Sequence, residues 1–141
     1  MAKDGVLTNA YIAINGTAYS DHCSTLEIKD EADKVDITSF SSNGYREFAA
    51  GLKDASIDAT FFTDGASGSI DDVLRQYYAS GGTFTLSVRK VNAAVSATNQ
   101  GGTMVARLYS GPAFGGKVGE VSEVSVSFAN AGTAGLTWGT L

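Results

Sequence analysis

The chain has one cysteine, one histidine and one proline in 141 residues. A single cysteine, Cys23, excludes an internal disulfide and fits a protein made in a reducing compartment. One histidine and one cysteine cannot furnish a structural zinc site. Pro112 stands alone, so no proline-rich linker divides the chain. Long apolar runs are missing as well. The start of the sequence, "MAKDGVLTNAYIAING", has no stretch of signal-peptide length, its longest unbroken apolar run being Ala10 to Ile14. No segment approaches ~20 apolar residues, so no membrane insertion by this chain is expected. Positive charge is scarce too: 10 Lys and Arg stand against 15 Asp and Glu, a net charge of −5. Arg46, Arg75, Arg89 and Arg107 are scattered and form no basic stripe, which argues against a grip on phosphate backbones.

Glycine is the opposite case. It supplies 17 of the 141 residues, about 12% against a usual ~7%. Abundant glycine with one proline points to tight turns and bulges between strands. Apolar residues make up 43% of the chain, enough for a core without staples, and the length favours one domain spanning residues 1–141.

Period-two alternation dominates. Ala10, Ile12 and Ile14 alternate with Tyr11, Ala13 and Asn15, and the "NGT" that follows is a hairpin signal. Leu26 and Ile28 mark a second strand, and Val35 and Ile37 a third. Between those two, the carboxylates Asp30, Glu31 and Asp33 read as a solvated turn; the glycine and terminal Glu of a calcium loop are missing. Ile57, Ala59 and Phe61 alternate with Asp58, Thr60 and Phe62. Phe84, Leu86 and Val88 follow the same rule, then Met104 to Tyr109, then Val124, Val126 and Phe128, with a short last strand at Leu136 and Trp138. Residues 92–102 read as a long turn. One segment breaks the pattern. Ile70, Val73, Leu74 and Tyr77 share one helical face, so a helix is expected over about 69–80, with Ser69 and Asp72 as a capping box and Gly81 and Gly82 as its stop. The expected fold is mainly β: a sandwich or small barrel of about eight strands with one flanking helix.

Candidate chemistry is sparse. His22 and Cys23 are adjacent, so on a strand they point to opposite faces and form no dyad; the bland reading is an exposed histidine beside a buried thiol. The Gly-rich "GGTFTLS" and "GPAFGG" lack the lysine and the strand-to-helix context of a phosphate loop. Asp58, Asp64, Asp71 and Asp72 could supply a glycosidase pair only in the sense that nearly any chain could. No catalytic residue, cofactor or metal ligand is assigned, and no enzyme activity is expected.

The informative stretch is "SFSSNGYREFAAGLKDA", Ser39 to Ala55. It reads as a connection, yet it carries Phe40, Tyr45, Arg46, Phe48 and Leu52, a composition enriched at interfaces. Two readings stay open: the loop packs its aromatics on the chain's own core, or another subunit covers them. In the second, each buried aromatic contributes ~1.5–3 kcal/mol.

Taken in order, "DGVLTNAYIAINGTAYSDHCSTLEI", "SIDDVLRQYYASGGTFTLSVRK", "NAAVSATNQ" and "GEVSEVSVSFANAGTAGLTW" resemble the major tail tube proteins of long-tailed bacteriophages. Order and spacing over nearly the whole chain carry the resemblance, and no single motif does. It implies a structural virion protein, assembled in the host cytoplasm. Six copies would form a ring whose sheets join edge to edge, and rings would stack into the conduit for the genome. The loop at about 39–55 would then be an inter-subunit loop, and the N- and C-terminal segments would join in contacts. Other implied partners are the tape-measure and the tail-terminator or tip proteins at the tube ends, and DNA that passes without specific binding. Candidate lumen-facing residues are Asp58, Thr60, Glu123, Ser125 and Ser127; the alternative is that they face the outside of the tube. Two rival functions are an immunoglobulin-like virion adhesion or receptor-binding module and a β-sandwich glycoside hydrolase.

Overall fold

The structure is a computed structural model, and it describes residues 10–64, 66–112 and 114–139. Among the described residues nine strands and one α-helix follow one another: β1 (Tyr11–Ile14), β2 (Thr17–Ala18), β3 (Cys23–Asp36), β4 (Phe48–Phe62), α1 (Ile70–Ser80), β5 (Phe84–Arg89), β6 (Gly101–Leu108), β7 (Phe114–Gly115), β8 (Glu123–Asn130) and β9 (Thr137–Gly139). All pairings are antiparallel and belong to one sheet, in the order β2-β1-β5-β6-β8-β4-β3, with β7 on β8 and β9 on β6.

The expected Asn-Gly turn is present. Asn15 and Gly16 have φ of 49° and 84°, both positive as a two-residue hairpin turn requires, and Ile14 pairs with Thr17 across it. Asn15 then fastens the hairpin to its neighbours. Its backbone N–H donates to the Thr85 carbonyl at 2.8 Å, its Oδ1 accepts from the Thr85 N–H at 2.9 Å, and its amide nitrogen donates to the Tyr77 hydroxyl on α1.

The alternation places one face of every long strand inside. Ile57, Ala59 and Phe61 of β4, Val124, Val126 and Phe128 of β8, and Phe84, Leu86 and Val88 of β5 are all buried in one cluster with Met104, Ala106 and Leu108 of β6. Ile12 and Ile14 join the same cluster from the far end of the sheet, as do Ile70 and Leu74 of α1. Strands this far apart in the order share one core because the sheet curls over it, with the helix as cover. Tyr77 meets Phe84 at a ring-centroid distance of 4.6 Å, and Phe84 meets Phe128 edge-on at 5.7 Å, a favourable arrangement for aromatic quadrupoles.

Helix α1 starts and stops close to expectation, but its cap differs. The Ser69 side chain does not cap the helix; its hydroxyl donates to the Asp64 carbonyl. Asp72 Oδ2 reaches past Ser69 to accept from the Gly68 N–H at 2.9 Å, and from Gln76 at 3.1 Å. A carboxylate one methylene shorter than the Glu of a full capping box caps the preceding turn instead. At the other end Gly81 adopts φ of 67° and donates to the carbonyls of Tyr77 and Tyr78, the left-handed stop that glycine favours.

Two further expectations are corrected. The carboxylate run Asp30, Glu31 and Asp33 is no turn: it lies inside the 14-residue β3, so the second and third expected strands are one. The segment expected as a connection from Ser39 to Ala55 is a connection only as far as Glu47, because Phe48–Phe62 form the 15-residue β4. Polar residues on both faces hide a strand from a pattern that looks for one buried face. Residues 92–102 do contain the long turn, folded around Asn99. The Asn99 side chain accepts from the Val91 N–H and donates to the carbonyls of Val91, Ala93 and Ala94.

Candidate self-association surface

β3 and β4 run far beyond the core. Their pairing extends from Cys23↔Phe61 to Asp36↔Phe48, yet burial stops at Ala55. Residues 29–36 and 48–54 therefore form a two-stranded arm with solvent on both faces, closed by residues 37–47. A two-stranded ribbon outside a core is marginal by itself, and this one is braced locally. At its tip the Ile37 N–H donates to the Glu47 carbonyl at 2.9 Å. The Glu47 N–H donates to Thr38 Oγ1 at 2.8 Å, and the Ser39 N–H to Ser42 Oγ at 3.1 Å. Asn43 and Gly44 turn the chain with φ of 55° and 80°.

A register shift between Ala32 and Lys34 puts two β4 residues, Leu52 and Gly51, opposite one β3 residue, the definition of a β-bulge. A Cβ on Gly51 would lie 2.8 Å from Val35 Cγ2 and 3.1 Å from Asp33 Cβ, so the bulge has room only for glycine there.

The structure brings the five expected loop residues together on this arm and its tip. Phe40 is fully exposed, Leu52 is 83% and Tyr45 78% exposed; Arg46 and Phe48 are also exposed. Val35 and Ile37, which sequence reasoning did not single out as contact residues, are exposed beside them. The reading in which Phe40, Tyr45 and Phe48 pack on the chain's own core is excluded.

The five candidate lumen residues share the sheet face opposite the core. Asp58 pairs with Ser127, Thr60 with Ser125 and Phe62 with Glu123. Thr60 and Ser125 hydroxyls stand 3.3 Å apart. Next to them on β3, Glu27 pairs with Asp58, and Lys29 Nζ lies 3.6 Å from Asp58 Oδ2. The result is a polar strip with small side chains in its middle.

The His22 expectation needs correcting. Its Nδ1 is 2.9 Å from Asp21 Oδ1 and its Nε2 3.2 Å from Asp64 Oδ2, so it links the entry to β3 with the connection before α1. The hydrogen bond and charge of Asp21, with a smaller contribution from Asp64, raise its pKa above the ordinary histidine value. Asp64 lies 42 residues away in sequence, which is why spacing did not reveal it. Burial pushes the Cys23 thiol up, away from the reactive thiolate form. Among the described residues there is no group of three or more His, Cys, Asp or Glu placed to hold a metal ion, and no helix is long and apolar enough to cross a membrane.

A curled antiparallel sheet with one covering helix and one protruding two-stranded arm defines the fold. No described protein family matches the sequence, and neither does any curated protein. Solved structures do share the fold. A chain of the virion of a native gene transfer agent particle is similar at a TM-score of 0.74 and 20% identity, over 98% of this chain and 99% of that one. A chain from the tail of an empty gene transfer agent particle with C6 symmetry gives 0.73 and 21%, over the same shares. The SPP1 tail tube gives 0.70 and 12%, over 94% of this chain and 77% of that one.

Proposed function

We propose that this chain is a structural protein that builds a phage-type tail tube by self-association into stacked rings, six copies to a ring. The observation that carries the reading is the arm, which presents Phe40, Tyr45 and Leu52 to solvent beyond the buried core. Aromatic groups held out on a braced arm have no work to do in a solitary molecule, and covering them from water is favourable by ~25 cal/mol per Å². The whole-length likeness to a C6-symmetric particle tail and to a tail tube supports the same reading. The free edge of β3 at one end of the sheet order, and β2 at the other, are the surfaces on which neighbouring copies would extend the sheet.

In that assembly the contacts between rings come from Phe40, Tyr45, Arg46, Phe48 and Leu52. The strip of Asp58, Thr60, Glu123, Ser125 and Ser127 lines the lumen. A lining with carboxylates and small hydroxyls, its Lys29 held against Asp58, offers passing DNA little to bind, since phosphate affinity comes from Lys and Arg. The tube ends would take tape-measure and terminator or tip proteins, and assembly would occur in the host cytoplasm before the chain resides in the virion tail.

Negative-stain imaging of the purified protein over a concentration series tests this. Rings or tubes with sixfold end-on views are expected; a dispersed monomer at every concentration would overturn the reading.

A further inference from the structure

The curled sheet leaves an open seam. Leu26 and Ile28 of β3 face Val88 and Arg89 of β5, and Lys90 just after it, without pairing to them, and a cleft of about 660 Å³ lies between, with Trp138 of β9 on its wall. That volume falls in the range of built binding sites. Trp138 lies close against β6: a Cβ on Gly102 would stand 3.0 Å from the indole and from Val88 Cγ2, so a larger residue there would push the ring outward. The indole is still 49% exposed, and the floor from Leu26, Ile28 and Val88 is apolar. Half-exposed tryptophan over an apolar floor is the composition of a binding hot spot.

We infer that this cleft is the socket for the arm of a second copy of this chain. The inference rests on the self-association reading and names the receiving surface. Charge selects the occupant. The described lining includes two cations, Arg89 and Lys90, and Arg89 also donates to the Ala93 carbonyl and stacks on the Tyr11 ring. The arm and its tip, residues 29–54, carry Asp30, Glu31, Asp33, Asp36, Glu47 and Asp54 against Lys29, Lys34, Arg46 and Lys53, and Lys29 is turned back to Asp58. An acidic arm with exposed aromatics meets a basic-rimmed apolar cleft, so potential and polarity are complementary. Arm and cleft are different surfaces, so each copy can give its arm to one neighbour and receive an arm from another, the heterologous contact that a ring or a stack of rings requires.

Two variants are prepared on a Cys23→Ser background, one with Ser41→Cys at the arm tip and one with Thr98→Cys in the cleft lining, then mixed, assembled and treated with a short bismaleimide. A crosslinked dimer of one copy of each is expected, and none when Gln76→Cys on α1 replaces Thr98→Cys. Tubes without the arm-to-cleft product would overturn the inference while leaving tube assembly intact; failure of the unmodified protein to form rings or tubes would sink both. The cleft stands next to Ala10, and residues 1–9 are its other conceivable occupant. A crosslink within one monomer between Leu7→Cys and Thr98→Cys would overturn the inference. Ala97→Trp, which fills the cleft mouth, gives an independent reading. It should leave the circular dichroism unchanged and raise the concentration needed for assembly roughly tenfold, equal to ~1.4 kcal/mol of lost contact; unchanged assembly would count against the socket.

Discussion

The ammonium of Lys34 stands 3.8 Å from the centre of the Phe48 ring, and the bulge is what allows it. Lys34 pairs with Ala50 and Asp36 with Phe48, so Lys34 and Phe48 lie on one face of the arm. Had the register before the bulge continued from Ala32↔Lys53, Lys34 would pair with Gly51, and Phe48 would point to the other face. A single extra residue in β4 thus decides which side of the arm carries its aromatic ring.

Gly51→Val should therefore damage the arm and spare the core. The new Cβ collides with Val35 and Asp33, and the collision falls outside the buried cluster. Hydrogen exchange is expected to quicken for residues 48–54 and to stay unchanged at Ile57, Phe61 and Phe128. Faster exchange throughout the sheet would show that arm and core unfold together.

Phe40→Ser with Tyr45→Ser should leave the monomer's stability within about 0.5 kcal/mol, the usual range for exposed positions, and should abolish rings and tubes. Denaturant unfolding and negative-stain imaging of the same preparation separate the two effects. Phe128→Ala is the contrasting control. Its ring is fully buried against Phe84, so about 3–5 kcal/mol of stability should be lost.

His22 gives a pH dependence of definite sign. Its folded-state pKa is raised by Asp21 and, less, by Asp64, so the folded protein binds the proton more tightly than the unfolded chain. That contribution is fully present below the unfolded value near 6.5 and is lost as pH rises through the higher folded value. Asp21, whose pKa is lowered chiefly by its hydrogen bond to His22, acts in the opposite sense at the acid end: its contribution disappears as pH falls below the ordinary carboxylate range. Thermal unfolding temperatures should decline across the first units above pH 6.5, and His22→Gln should flatten the decline. An unaltered profile in the variant would mean that other groups govern it.

The polar strip makes a prediction about access. With Cys23→Ser as background, Ser127→Cys should react with a bulky maleimide polymer in the monomer and resist it in assembled tubes, whereas Gln76→Cys reacts in both. Equal reactivity of Ser127→Cys in the two states would place the strip on the outside.

Much of this was legible in the sequence because one-sided burial writes a period. Ile57, Ala59 and Phe61, or Val124, Val126 and Phe128, alternate without a fault, and each of them is buried. Ile70, Val73, Leu74 and Tyr77 place the helix by the same logic. The arm was partly hidden for the converse reason. Residues 30–33 and 48–54 bury neither face and carry no alternation, and the carboxylates of "KDEADK" look like a turn, so Val35 and Ile37 read as a strand of their own. Their aromatic content still marked the region as one that needs cover. The seam cleft and the Asp21–His22–Asp64 link left no trace in the sequence, since both join residues brought together only when the sheet curls.

Reconstruction of the assembled particle by electron cryomicroscopy, followed to the side chains of the arm, tests the central claim most directly. The account predicts that Phe40 and Tyr45 lie against atoms of another copy, with the arm seated beside that copy's Trp138. Particles in which both rings remain in solvent, or touch only their own chain, would contradict it.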